Sequence, residues 1–142
     1  MRALSTGPDA RLELRLEAQP KSVAVVRREL GAFVDEHFSD ASPDIALAVS
    51  EAVSNVVLHA YRGDDGPGTV RVVACVRPTE LVVVVRDYGC GMRPHPESPG
   101  AGLGLSIIGA IALAHGGSAG AANRPGGGAD VWLSLPTEPP AS

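Results

Sequence analysis

Residues 80–87 read E-L-V-V-V-V-R-D, four valines behind a leucine, with Pro78-Thr79 on one side and Gly89 close after the other. So dense a β-branched run forms a strand, and because it is apolar on both faces it belongs inside a sheet rather than at its edge. A central strand needs neighbours. Residues 69–77 supply one, a second β-branched run separated from the first by Pro78-Thr79, which is the arrangement of a hairpin. The rest of the chain must extend and cover this pair.

Residues 11–18, R-L-E-L-R-L-E-A, alternate Leu12, Leu14 and Leu16 with charges, the period of a half-buried strand, and Pro20 ends it. Over residues 22–37, Val23, Val26, Leu30, Phe33 and Val34 recur at spacings of three and four and predict an amphipathic helix. Ser42-Pro43-Asp44 starts a second helix, with a capping hydroxyl, a proline in the first turn and an acid near the positive dipole end. That helix is expected to run to about residue 60. Residues 103–115 are apolar nearly all round and predict a buried helix ended by Gly116-Gly117. Residues 117–123 and 129–135 read as further strands around a turn at 124–128. Residues 1–10 read as a flexible N-terminal leader and 137–142 as a frayed C-terminal tail, leaving 11–136 as one domain. Strand, two helices, two strands, a glycine-rich loop, a helix and two strands make an α/β (α+β) two-layer sandwich. Its sheet is mixed and mostly antiparallel, covered on one face by helices.

Composition narrows the function classes. The 142 residues suffice for one domain with a real core, and a formal net charge of −4 argues against nucleic acid as a direct partner. Of the two cysteines, Cys75 sits in an apolar run and reads as a small core residue, while Cys90 lies between two glycines in a loop. So placed, they form neither a disulfide framework nor a metal site. No apolar run approaches the roughly 20 residues of a membrane span, and residues 1–10 have no apolar core of a signal peptide. A cytoplasmic protein with no membrane partner is the expectation.

Three constellations carry chemistry. Glu51, Asn55 and His59 are spaced by four on the second helix and project from one face. Asp87-Tyr88-Gly89-Cys90-Gly91-Met92 follows the most apolar strand. An aspartate at the end of a buried strand is costly unless it finds donors, and the exocyclic amino group of a purine is a fitting one. Gly89 and Gly91 let the backbone turn tightly and approach a ligand. Gly100-Ala101-Gly102-Leu103-Gly104-Leu105 leads into a helix, whose unpaired N–H groups and positive dipole end make an anion site. A dinucleotide-binding reading of these glycines fails, because that motif follows a strand within a βαβ unit.

In this order, E-A-V-S-N-V-V-L-H-A on a helix, D-Y-G-C-G-M after a strand and G-A-G-L-G-L before a helix, the chain resembles the Bergerat (GHKL, HATPase) ATP-binding fold over roughly residues 12–135. Within that superfamily, the tract E-A-V-S-N-V-V-L-H-A-Y and the small size are similar to the bacterial anti-sigma factor serine kinases. The resemblance implies ATP and Mg²⁺ as cofactors. Asn55 would ligate the Mg²⁺, and Glu51 would be the catalytic base toward a substrate serine. Asp87 would bind the adenine amino group. Gly89, Gly91, Gly102, Leu103, Gly104 and Leu105 would line the nucleotide and its phosphates. Arg27 matches a family arginine that contacts protein partners, here a sigma factor or an anti-sigma antagonist. His59 is expected in a packing role, and homodimerisation stays open.

Two departures bear on function. The loop at residues 92–100, M-R-P-H-P-E-S-P-G, is shorter and more proline-rich than the family's lid, and Gly127-Gly128-Ala129 lacks the hydroxyl of the family's Gly-Gly-Thr. The implied function is an ATP-binding anti-sigma regulatory factor with protein-serine kinase activity, controlling transcription by partner switching. The alternative is a nucleotide-binding module that sequesters a partner without phosphotransfer. A detached histidine-kinase-like ATPase domain is a third reading.

Overall fold

The computed structural model describes residues 1–5, 9–38, 41–61, 68–89 and 103–136. Among the described residues six strands, β1 (Arg2–Ser5), β2 (Arg11–Glu17), β3 (Thr69–Val76), β4 (Glu80–Asp87), β5 (Ser118–Asn123) and β6 (Ala129–Pro136), form one sheet in the order β1-β2-β3-β4-β6-β5. Every pairing among them is antiparallel. The valine-rich run is the central strand its composition predicts: β4 pairs with β3 on one side and β6 on the other.

Three helices, α1 (Pro20–His37), α2 (Ser42–Asn55) and α3 (Leu103–Ala114), cover one face of the sheet. The stripe Val26, Leu30, Phe33 and Val34 of α1 meets Ile45, Ala48, Val49, Ala52 and Val53 of α2 and Ile108 and Ala112 of α3. These close on Leu12, Leu14, Val70, Val72, Ala74, Leu81, Val83, Val85, Leu133 and Leu135 from the strands. Aliphatic side chains make up nearly all of this core, as a 4% aromatic content implies, with Phe33 among them.

The uncovered sheet face carries ion pairs between neighbouring strands. Arg71 Nε donates to Glu13 Oε1 at 2.6 Å, and Arg86 makes a two-pronged contact with Asp130 at 2.7 and 2.8 Å. The hydrogen bond from Arg71 holds the Glu13 carboxyl below its ordinary range, against the opposing effect of burial.

The structure departs from the sequence reading in five places. Residues 2–5, expected within a loose leader, form the edge strand β1, with Ala3 opposite Glu13 and Leu4 opposite Leu12. The cap of α2 is Ala41, with no side-chain capping bond, instead of the expected Ser42 hydroxyl. Asp44 does lie in the first turn, as expected, and meets His115 Nε2 at 2.8 Å. The second helix leaves α-geometry at Val56 and closes as a π-helical turn, Val56–Ala60. Cys75 is half-buried on the uncovered sheet face, not in the core, because its neighbour Ala74 takes the helix-facing position. Finally, α3 is not buried all round: Leu113 is 79% exposed.

Candidate functional site

Strand β4 ends in Asp87, only 6% exposed. Burial raises its carboxyl pKa above the ordinary value, and the backbone amides of Gly89 and Ala129 oppose that rise by hydrogen bonding to the ionised form. The Gly89 amide lies 3.0 Å from Oδ1, a local D-x-G bond. Ala129 comes from the first residue of β6, and the turn that delivers it needs glycine. Gly127 and Gly128 have φ of +105° and +86°, and a Cβ on Gly128 would sit 2.1 Å from the Asp87 carbonyl oxygen. Gly128→Ala therefore combines a left-handed backbone with a backbone clash. It should destabilise the fold by about 1–3 kcal/mol, read as a lowered denaturant midpoint, and an unchanged midpoint would show that this turn is not rigid.

The end of β4 also touches the end of the second helix. A Cβ on Gly89 would lie 2.0 Å from the Ala60 carbonyl oxygen, so only glycine lets the loop pack on the π-helical turn. Tyr61, next in the chain, donates its hydroxyl proton to the Thr69 carbonyl and accepts the Tyr88 amide at 2.9 Å. Burial raises its phenol pKa, and the nearby Asp87 carboxylate adds to the rise. The Tyr88 ring, 43% exposed, carries the Arg124 guanidinium 4.7 Å from its centroid.

Helices α2 and α3 run antiparallel, since His115 just beyond the end of α3 meets Asp44 at the start of α2. With 14 and 12 residues they span roughly 21 and 18 Å. The N-terminus of α3, at Leu103, therefore lies toward the Asn55 end of α2, and its first amides lack intrahelical partners. Glu51 and Asn55 are both half-buried on α2. Between them and α1, buried Ser50 bonds the Ala46 carbonyl at 2.6 Å and receives Arg27 Nε at 3.2 Å. Arg27 is thus exposed yet anchored to the helix that carries Glu51 and Asn55.

Of the sequence-derived site residues, Glu51, Asn55, Asp87, Gly89 and Arg27 are placed as above. Leu103, Gly104 and Leu105 form the first turn of α3. Gly91 and Gly102, with Cys90 and the 92–100 loop, lie outside the described residues. His59 falls in the π-helical turn, half-buried and partnered. Among the described residues no cluster of three or more His, Cys, Asp or Glu could hold a metal ion by itself. The Asn55 side chain carries an amide oxygen, a donor of the kind that a Mg²⁺ ion takes from a protein when phosphates supply most of its other ligands. Sequence reasoning missed Tyr61 and Ser50, of which Tyr61 left a signal as the last residue of the E-A-V-S-N-V-V-L-H-A-Y tract; Gly127-Gly128-Ala129 stands out in the sequence for a missing hydroxyl, not for the backbone amide that it brings to Asp87.

The profile of the family described as "Histidine kinase-like ATPase domain" matches residues 16–133. A sensor histidine kinase component of Mycobacterium tuberculosis is 33% identical over 119 residues, covering 72% of this chain and 67% of the relative. The serine-protein kinase RsbW of Bacillus licheniformis is 35% identical over 80 residues, 55% of this chain and 50% of that protein. The anti-sigma F factor of Clostridium kluyveri is 27% identical over 113 residues, 70% and 78% of the two chains. Among solved structures, the histidine kinase domain of a blue-light activated histidine kinase from Erythrobacter litoralis superposes with a TM-score of 0.58. It is 26% identical, over 68% of this chain and 45% of the other.

Proposed function

The chain belongs to the histidine kinase-like ATPase domain family, and from that premise we propose that it is an ATP-binding anti-sigma regulatory factor with protein-serine kinase activity. Its substrate would be a small anti-sigma antagonist, and phosphorylation would switch its partner between antagonist and sigma factor in the cytoplasm. The observation that carries this reading is the convergence of three elements: Glu51 and Asn55 on α2, the N-terminus of α3, and Asp87 joined to the same helix through Gly89 and Ala60. The names of the Bacillus and Clostridium relatives point the same way. No described helix is long and apolar enough to cross a membrane.

In this assignment Asp87, itself 6% exposed, accepts a directional hydrogen bond from the adenine amino group. Gly89, Gly91, Gly102, Leu103, Gly104 and Leu105 line the nucleotide, with the first amides of α3 toward its phosphates. Asn55 supplies an oxygen to Mg²⁺, which when bound neutralises phosphate charge. Glu51, one turn before Asn55, takes the serine hydroxyl proton as the phosphoryl group is transferred. Arg27, held by Ser50 at the rim, presents its charge to the protein partner.

Incubation with labelled ATP and the cognate antagonist should give an acid-stable phosphoserine. An acid-labile label would redirect the reading to phosphohistidine chemistry, and no label beside tight partner binding would leave a sequestering module. Asn55→Ala should weaken MgADP binding roughly tenfold, about the worth of one charge-assisted contact, and abolish the gain in affinity on adding Mg²⁺. Calorimetric titrations with and without the metal check this, and a wild type indifferent to Mg²⁺ would remove the metal role from Asn55.

A further inference from the structure

Tyr61 sits where the two halves of the site meet, and nothing in the roles above uses it. Its hydroxyl has one proton and spends it on the Thr69 carbonyl, so the oxygen lone pair is free to accept the Tyr88 amide at 2.9 Å. Its ring lies so close to Gly68 that a Cβ there would come within 2.1 Å of it. One residue back, the Ala60 carbonyl fills the space that a Gly89 side chain would need. Gly89 in turn donates its amide to Asp87 Oδ1. The chain of contacts therefore runs from the end of the second helix, through the π-helical turn and Tyr61, to the two residues that follow Asp87.

We infer that Tyr61 is a positioning residue for nucleotide recognition: its hydroxyl pins the backbone at Tyr88 and so fixes the Asp87 carboxylate relative to the helix bearing Asn55. The π-helical turn is what makes this possible. Its i→i+5 bonding adds a residue to the turn, and such insertions in an α-helix recur at functional sites. Here the insertion brings Ala60 and Tyr61 onto the end of β4. A phenylalanine would keep the packing against Gly68 and lose both hydrogen bonds, leaving the Tyr88 segment free to shift by the fraction of an ångström that a directional bond to a base does not tolerate. The inference rests on the proposed adenine-binding role of Asp87.

The test compares ADP with IDP, which lacks the exocyclic amino group that Asp87 would read. Wild type should prefer ADP. In Tyr61→Phe the ADP affinity should fall roughly three- to tenfold, the worth of about one net hydrogen bond, while IDP affinity stays constant, so the preference shrinks. Gly68→Ala pushes on the same ring from outside the site and should shrink the preference in the same way. Binding is measured well below each variant's own unfolding midpoint. General loosening would weaken both nucleotides alike, and an ADP/IDP ratio equal to wild type in either folded variant overturns the positioning role. A wild type that binds ADP no better than IDP overturns the adenine role of Asp87 first, and the role of Tyr61 with it.

Discussion

Glu51→Ala is expected to abolish phosphate transfer to the antagonist serine, by about 10²–10⁴-fold, while leaving MgADP affinity within about twofold. The rate factor is that of a single positioned proton acceptor. The separation of the two effects comes from place. Glu51 is half-buried on α2 one turn before Asn55, and it takes no part in the amide bonds around Asp87. Alanine is the best helix former, and the core side of α2 is held by Ala48, Val49, Ala52 and Val53, which the substitution does not touch. Stability should therefore stay near wild type. Acid-stable labelling of the antagonist and ADP calorimetry on one preparation decide the matter. Labelling that persists in the variant would move the base to another group. ADP binding lost together with labelling would give Glu51 a part in shaping the pocket instead.

The elements that sequence reasoning located are those whose signal is periodic and local. The valines of β4 call for a strand with neighbours on both sides, where Val83 and Val85 are buried under the helices and Val82 and Val84 are half-buried on the uncovered face, and the Val26, Leu30, Phe33, Val34 stripe permits only a helix with one covered side. The alternation that puts Val72 and Ala74 inward also turns Cys75 outward, a placement legible in the sequence. Strand β1 was not legible: four residues, all exposed, owe their conformation to pairing with β2. Nor was the π-helical turn, since V-V-L-H-A suits an ordinary helix and the deciding contact, Ala60 against Gly89, spans 29 positions. Helix α3 is apolar on every side, so its sequence held no mark of which side the fold would leave open at Leu113. The site divides the same way. Asp87 with Gly89 is a local motif, whereas Ala129 and Tyr61 reach it only through the finished sheet.

Asp87→Asn is expected to cost about 100-fold in ADP affinity and yet to raise the stability of the nucleotide-free protein at neutral pH. The binding loss follows from the worth of a hydrogen bond to a charged group, roughly 10- to 150-fold. An asparagine that turns its amide toward the base would add a donor facing a donor. The stability gain follows from burial. In the folded chain the Asp87 carboxyl titrates above its ordinary value because desolvation outweighs the Gly89 and Ala129 amide bonds. A raised carboxyl pKa means that the fold favours the protonated form. The contribution of Asp87 is therefore most favourable below the unfolded value, near 4. It declines as pH rises through the folded value, and at neutral pH the ionised group remains a net burden. Asparagine keeps the size, can still accept the Gly89 amide, and carries no charge to desolvate. Melting curves from pH 3 to 8 should show the wild type losing ground to the variant above about pH 4, with the two converging at low pH. A variant less stable than wild type at neutral pH would mean that the amides overcompensate the burial of Asp87. ADP affinity retained by the folded variant would take the adenine contact away from this residue. A site that costs the empty protein stability and returns it on binding is the arrangement expected of a carboxylate kept for its ligand rather than for the fold.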